Sequence, residues 1–240
     1  MDYDFTHFTS VLSGWKISFS DLQREQLTAY YEMLAEKNKV MNLTAITKFE
    51  DVIDKHFLDS LSVARFVNLS ENLSVLDLGT GAGFPGLPLK IMFPNLSFTL
   101  VDSLNKRILF LDEVIKELGL TGIKTIHGRA EDLAREPVYR EKFDLCVSRA
   151  VANLASLSEY CLPFVKPGGM FISYKSSGIE EELSRAEKAI LLLGGKVKEV
   201  PSFCLEDTQI GRSLVMIEKE KKTPKAYPRK SGVPVKKPLC

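Results

Sequence analysis

The residues best spaced for chemistry lie between 76 and 86, Leu-Asp-Leu-Gly-Thr-Gly-Ala-Gly-Phe-Pro-Gly. Gly79, Gly81 and Gly83 lack a Cβ, so the backbone can turn tightly there and come close to a ligand. Asp77 stands just before the first glycine, where its carboxylate can receive a cationic group, directly or through water. Asp102 follows 25 residues later, at the end of a second strand. A carboxylate at such a place accepts hydrogen bonds from ribose hydroxyls, or else caps the next helix. His56 and Asp59 are three apart and share a helix face. That face either borders the mouth of the site or is satisfied by local hydrogen bonds. Lys175 follows a later strand and either points to the ligand edge or is solvated. His127 reads as structural, and His7 is assigned nothing.

Such a loop needs a strand before it and a helix after it. Ser20-Asp21 caps a helix reaching about Lys37, and a second helix is expected from about Phe49 to Val67. The turn-like stretch Asn42–Ile46 joins them. From residue 74 short apolar runs alternate with helical stretches. Strands are expected at Ser74–Leu78, Ser97–Val101, Ile123–His127, Phe143–Val147 and Met170–Tyr174, with helices near 85–92, 105–118, 153–164 and 179–192. Lys196–Phe203 and Ser213–Glu218 supply two last strands. Strands buried on both faces and alternating with helices imply a parallel sheet with right-handed crossovers. The expected fold is α/β, a doubly wound, seven-stranded, mostly parallel sheet. The expected domains are an N-terminal helical extension over 1–70, the sheet domain over 71–220 and a basic, Pro-rich tail over 221–240.

Composition narrows the partners. At 240 residues, 45% hydrophobic and 26% charged, the chain suits one α/β domain with a small extension. No run of about 18 apolar residues is present, so no membrane span is expected. Met1–Thr9 carries Asp2 and Asp4 without a basic region and does not read as a signal peptide. Cys146, Cys161, Cys204 and Cys240 form no CxxC pair and no metal-spaced cluster with histidine. No metal is therefore expected, and a reducing cytoplasm fits. Cys146 and Cys204 sit in apolar runs and read as small buried hydrophobes. Residues 219–240 hold eight lysines and arginines against Glu220 alone. Prolines 224, 228, 234 and 238 make this tail extended. It is either a polyanion contact or a solubilising segment.

The glycine loop alone could serve NAD, FAD or S-adenosylmethionine. Asp77 and the Gly-x-Gly-x-Gly spacing make it resemble the Asp/Glu-x-Gly-x-Gly-x-Gly motif of Rossmann-like class I S-adenosylmethionine-dependent methyltransferases, although Gly86 blurs the spacing. In that class the residues after strand three flank the adenine, here Ala130 and Glu131. Glu131 is otherwise an ordinary first-turn helix acid. Arg149, ending strand four, is costly unless paired. It holds cofactor or RNA phosphate, or else pairs with a carboxylate. No Pro-Cys serves cytosine-C5 transfer, and Ser148-Arg149-Ala150-Val151 replaces the Asn/Asp-Pro-Pro-Tyr of adenine amino transfer. Guanine N7 carries a lone pair and no proton, so its methylation needs positioning rather than a base.

Further stretches make the chain resemble the RsmG (GidB) family of bacterial 16S rRNA guanine-N7 methyltransferases: Asn42–Ile46, His56-Phe-Leu-Asp-Ser-Leu61, Asp102–Arg107, Gly128–Glu131, Ser148-Arg-Ala150 and Tyr227-Pro-Arg-Lys-Ser-Gly-Val-Pro234. The resemblance implies cofactor contacts at Gly79, Phe84, Asp102, Ser103, Leu104, Ala130, Glu131 and Arg149, beside Asp77, Thr80, Gly81 and Gly83 of the loop. It implies methylation of a guanine in the 530 loop of 16S rRNA, in the small ribosomal subunit; a cytoplasmic monomer is expected. Arg149, His56, Asp59 and Lys175 are the positioning candidates, with no certain catalytic residue. Tyr227, Arg229, Lys230, Lys236 and Lys237 are expected to meet RNA by stacking and phosphate contact. The alternatives are another RNA or a small molecule as acceptor, or a non-catalytic RNA-binding assembly factor.

Overall fold

The computed structural model describes residues 3–149, 152–206 and 208–239. Ala150 of the Ser-Arg-Ala stretch, the following Val151, and Cys240 lie outside them. Helix α1 spans Thr6–Gly14 and α2 Asp21–Met41. Ser20 and Gln23 form a reciprocal capping box at the start of α2, which sets its first residue. Asn42, left-handed at φ 50°, ends it four residues beyond the expected Lys37.

The stretch expected as one helix over 49–67 is not uniform. It runs as α3 (Phe49–Val52), a π-turn (Ile53–Leu58), α4 (Asp59–Leu61) and a 3₁₀ turn (Ser62–Arg65). Apolar periodicity cannot distinguish these, because each keeps one face inward. The π-turn rotates the side chains around His56 away from regular 3.6-residue spacing.

Beyond this the chain alternates as β1 (Ser74–Leu78), α5 (Gly86–Met92), β2 (Ser97–Asp102), α6 (Asn105–Glu117), β3 (Ile123–His127), α7 (Ala130–Leu133) and β4 (Phe143–Arg149). Next come α8 (Leu154–Cys161), β5 (Val165–Ser176), α9 (Glu180–Leu192), β6 (Gly195–Glu199), β7 (Ser202–Cys204), β8 (Gly211–Lys219) and α10 (Val233–Lys236). The sheet order is β3-β2-β1-β4-β5-β8-β6, with β7 also paired to β8. Strands β1 to β5 are parallel, whereas β8 runs antiparallel to β5. The sheet is thus seven positions wide. The expected strand over 196–203 is broken at Pro201 into β6 and β7, which share one flank of β8. Proline donates no ladder hydrogen bond, so it interrupts the edge there. Strand β5 begins five residues before the expected Met170, because Gly169 leaves room for the Asp144 carbonyl where a Cβ would come within 2.5 Å.

One apolar cluster joins α1, α2, the π-turn and one face of the sheet, and a second fills the other face under α8 and α9. Cys146 and Cys161 are buried, but Cys204 is exposed on the edge strand β7, contrary to expectation.

Candidate functional site

The glycine loop is held by two carboxylates. Thr80 Oγ1 and the Gly86 N–H donate to Asp77 Oδ2 at 2.6 and 2.8 Å. The Gly81 N–H donates to Asp102 Oδ2 at 3.0 Å. A Cβ on Gly86 would meet the same Asp77 oxygen at 2.7 Å and Leu100 at 2.4 Å, so the glycine that blurs the motif is required by packing. Asp77 is fully buried, and its Oδ1 has no hydrogen-bond partner among the described residues. Burial pushes its carboxyl up to about 7 against the lowering effect of the Thr80 and Gly86 hydrogen bonds. An orphaned buried carboxylate oxygen beside a glycine loop suits a ligand ammonium or a bridging water.

Two clefts open at the carboxyl ends of the strands. The first, about 280 Å³, lies between β1, β2 and β3 and is lined by Gly79, Asp102, Ser103, Ala130 and Glu131 among others. These five expected cofactor residues therefore come together. Asp102 Oδ1 accepts the Leu104 N–H at 2.9 Å, and its Oδ2 also accepts Arg107 at 3.1 Å. The carboxylate so combines helix capping with a place in the cleft wall. Leu104 contributes its backbone to that cap, and its side chain is exposed. His127 lies outside the cleft, with Nε2 3.1 Å from the Ser103 carbonyl.

The second cleft, about 350 Å³, lies on the other side of the loop between the π-turn, β4, β5 and β8. It gathers all four positioning candidates, His56, Asp59, Arg149 and Lys175, with Lys55, Tyr174 and Arg212. Arg149 donates to Asp59 Oδ2 at 2.9 Å and to the Lys55 carbonyl at 3.2 Å, and sits 3.1 Å from His56 Nδ1. It is thus paired with a carboxylate. Its guanidinium also lies 4.9 Å from the centre of the Phe84 ring, on which His56 stacks at 4.3 Å. Asp59 receives a second arginine, Arg212, at 2.9 Å on Oδ1. His56 Nε2 is 2.8 Å from Thr44 Oγ1. Burial, and then the Arg149 charge, lower the His56 imidazole to about 3, so it is neutral at physiological pH. Lys175 is bound to Glu182 at 2.7 Å and to the Ala152 carbonyl at 2.9 Å. Lys55 and Arg212 were not singled out by sequence. Lys55 adjoins His56, which was a usable signal, whereas Arg212 arrives from a distant strand with none.

The C-terminal tail departs furthest from expectation. It is folded against the body, and Val233–Lys236 is helical despite Pro234, because proline is tolerated in a first turn. Arg229, expected at RNA phosphate, makes a two-pronged pair with Glu159, whose side chain is fully buried. The Arg229 N–H also donates to Glu159 Oε1 at 2.7 Å. Tyr227 is half-buried, with its carbonyl taken by Arg140 at 3.0 Å. Lys230, Lys236 and Lys237 are exposed. The Gly232 N–H donates to Glu131 Oε1 at 3.0 Å, and Gly232 and Val235 line the first cleft. Among the described residues no group of His, Cys, Asp or Glu is arranged to hold a metal, and no helix is long and apolar enough to cross a membrane.

A parallel sheet reversed by an antiparallel β8, with paired clefts flanking a glycine loop after β1, defines a Rossmann-like methyltransferase. Solved structures share this fold. TrmN from Thermus thermophilus matches 70% of the chain and 53% of its own at TM-score 0.52 and 18% identity. M. jannaschii TYW2, determined in complex with AdoMet, matches 73% of the chain and 79% of its own at TM-score 0.56 and 16% identity. The chain belongs to the family described as GidB, rRNA small subunit methyltransferase G, which matches residues 23–211. It is 53% identical over 236 residues to ribosomal RNA small subunit methyltransferase G of Lachnoclostridium phytofermentans, covering 98% of both chains. It is 52% identical over 232 residues to the Brevibacillus brevis protein of the same name, covering 97% of this chain and 98% of that one. The fold and family are those of S-adenosylmethionine-dependent methyltransferases.

Proposed function

We propose that the protein methylates N7 of a guanine in the 530 loop of 16S rRNA, acting in the cytoplasm as a monomer on the small ribosomal subunit. S-adenosylmethionine supplies the electrophilic methyl group. Asp77 Oδ1 receives its ammonium, Gly79, Thr80, Gly81 and Gly83 shape the loop around its methionine half, and Asp102 with Ser103 receives its ribose. Ala130 and Glu131 border its adenine.

The observation that carries the reading is the second cleft. Lys55, Arg149, Lys175 and Arg212 line it together, the two arginines sharing Asp59, beside Phe84 of the glycine loop. A cationic cleft suits an RNA acceptor, since phosphate neutralisation supplies much of RNA affinity. Its one imidazole is neutral and hydrogen-bonded on both sides, so the cleft is built to orient rather than to remove a proton. Guanine N7 asks for no more. Arg149 acts from its place between Asp59, His56 and Phe84 as a positioning residue. Lys230, Lys236 and Lys237 supply exposed charge on the tail for more distant phosphates.

The test incubates the purified chain and methyl-labelled cofactor with small subunits from cells lacking this gene. Label recovered as N7-methylguanine at one position of the 530 loop is the expected outcome. Label in another base, or none in the presence of bound cofactor, overturns the proposal.

A further inference from the structure

The tail enters the first cleft through two residues. Gly232, in the left-handed region at φ 78°, gives its N–H to Glu131 Oε1. Val235, on the short helix that follows, lines the cleft with its side chain 54% exposed. The remaining apolar lining comes from Leu78, Val101, Ala130, Ala152 and Tyr160. An apolar side chain left half in water across a cleft from other apolar groups lacks only a flat apolar ligand between them.

The tail is anchored ahead of this contact and within it. Before it, Arg229 is locked to the buried Glu159, and Arg129 holds Ser231 at 3.1 Å. Between Gly232 and Val235, the buried Pro234 accepts the Ser156 hydroxyl on its carbonyl at 2.7 Å. Arg140 holds the Thr223 and Tyr227 carbonyls upstream. The segment is therefore held at a defined place, not laid loosely on the surface.

We propose that residues 229–236 form a wall of the adenosine subsite, with Val235 packing on the adenine and Glu131 shared between cofactor and tail. The inference rests on the first cleft's taking the adenosine half of the cofactor. A chain whose tail is undocked keeps the glycine loop and both aspartates but loses one side of the base pocket.

The test is the affinity of the full-length protein for S-adenosylhomocysteine by calorimetry, in the parent and in Val235→Glu. The substitution is at an exposed position and brings a carboxylate toward Asp102 and Glu131. Binding is expected to weaken about tenfold, the equivalent of losing a buried apolar contact. Affinity within about twofold of the parent overturns the tail's part alone. Absence of binding by the parent overturns the subsite itself. Should Val235→Glu not fold, tryptic cleavage of the parent after Lys230 and Lys236 decides. Saturating S-adenosylhomocysteine is expected to slow it, and an unchanged rate overturns the proposal.

Discussion

The two clefts flank one glycine loop and are built in opposite ways. The first is made of strand ends, loop backbone and carboxylates, closed by a tail segment that contributes a backbone N–H and one valine. The second is made of long cationic side chains from four elements, each tied to a carboxylate: Arg149 and Arg212 to Asp59, Lys175 to Glu182 and Lys55 to Asp51. A small ligand of fixed shape can be met by backbone, which has few ways to move. A polyanion is met by charges on long stems, which must be held in place by something. Asp59 does that for both arginines, and it is 3% exposed.

The largest effect that would break this contrast is therefore at Asp59. Asp59→Ala leaves Arg149 and Arg212 without their shared partner. Removing one member of a buried ion network costs about 3–5 kcal/mol. Urea unfolding is expected to show a loss of that size, and a loss below about 1 kcal/mol would mean that solvent already screens the pair.

Asp77, buried against the glycine loop between the clefts' elements, sharpens the contrast. Its carboxyl is raised by burial to about 7, above its ordinary value near 3.8. The folded protein thus keeps a proton that the unfolded chain has lost between these two pH values. This group's contribution to stability is full below about pH 4 and is lost as pH rises through about 7. Asp77→Asn carries no such proton. The unfolding free energy of the parent relative to the variant should fall by several kcal/mol from pH 4 to pH 8, on the order of 4. A difference that stays constant with pH would show that water or a bound cation already relieves the buried charge.

The smallest effect is at His56. An imidazole lowered to about 3 does not titrate in the working range. His56→Asn is expected to slow methyl transfer by one constant factor between pH 5.5 and 8. A ratio of rates that changes more than about threefold across that interval would make His56 a proton carrier rather than a spacer between Thr44 and Arg149.

How much of this was legible in the sequence follows the same division. Strands β1 and β3 were read to the residue, because short apolar runs between turn signals have one interpretation in a parallel sheet. The first cleft was legible from Gly79, Asp102 and Glu131, since each sits at or shortly after the end of a strand whose position the alternation sets. The second cleft was legible only in pieces. His56 and Asp59 were expected to share a face, but the π-turn that presents them is invisible to periodicity. Arg212 reaches Asp59 across 153 residues of chain, and no local pattern announces such a pairing. The tail misled for a related reason. Its lysines and prolines suggested an extended segment meeting RNA, while the residue that anchors it is an ordinary-looking glutamate on α8, 70 positions away.

The break at Pro201 carries a consequence for the outer rim of the sheet. A long unpaired strand at a sheet border offers a row of free amides and carbonyls to any passing extended chain. Here that border is two short pieces, β6 and β7, with Lys196, Lys198 and Glu199 turned to solvent on the first. The rim is too interrupted and too charged to seed stacking of one copy on another. The sheet therefore ends at β6 and β7, and its border is shielded from adding the extended strand of another chain.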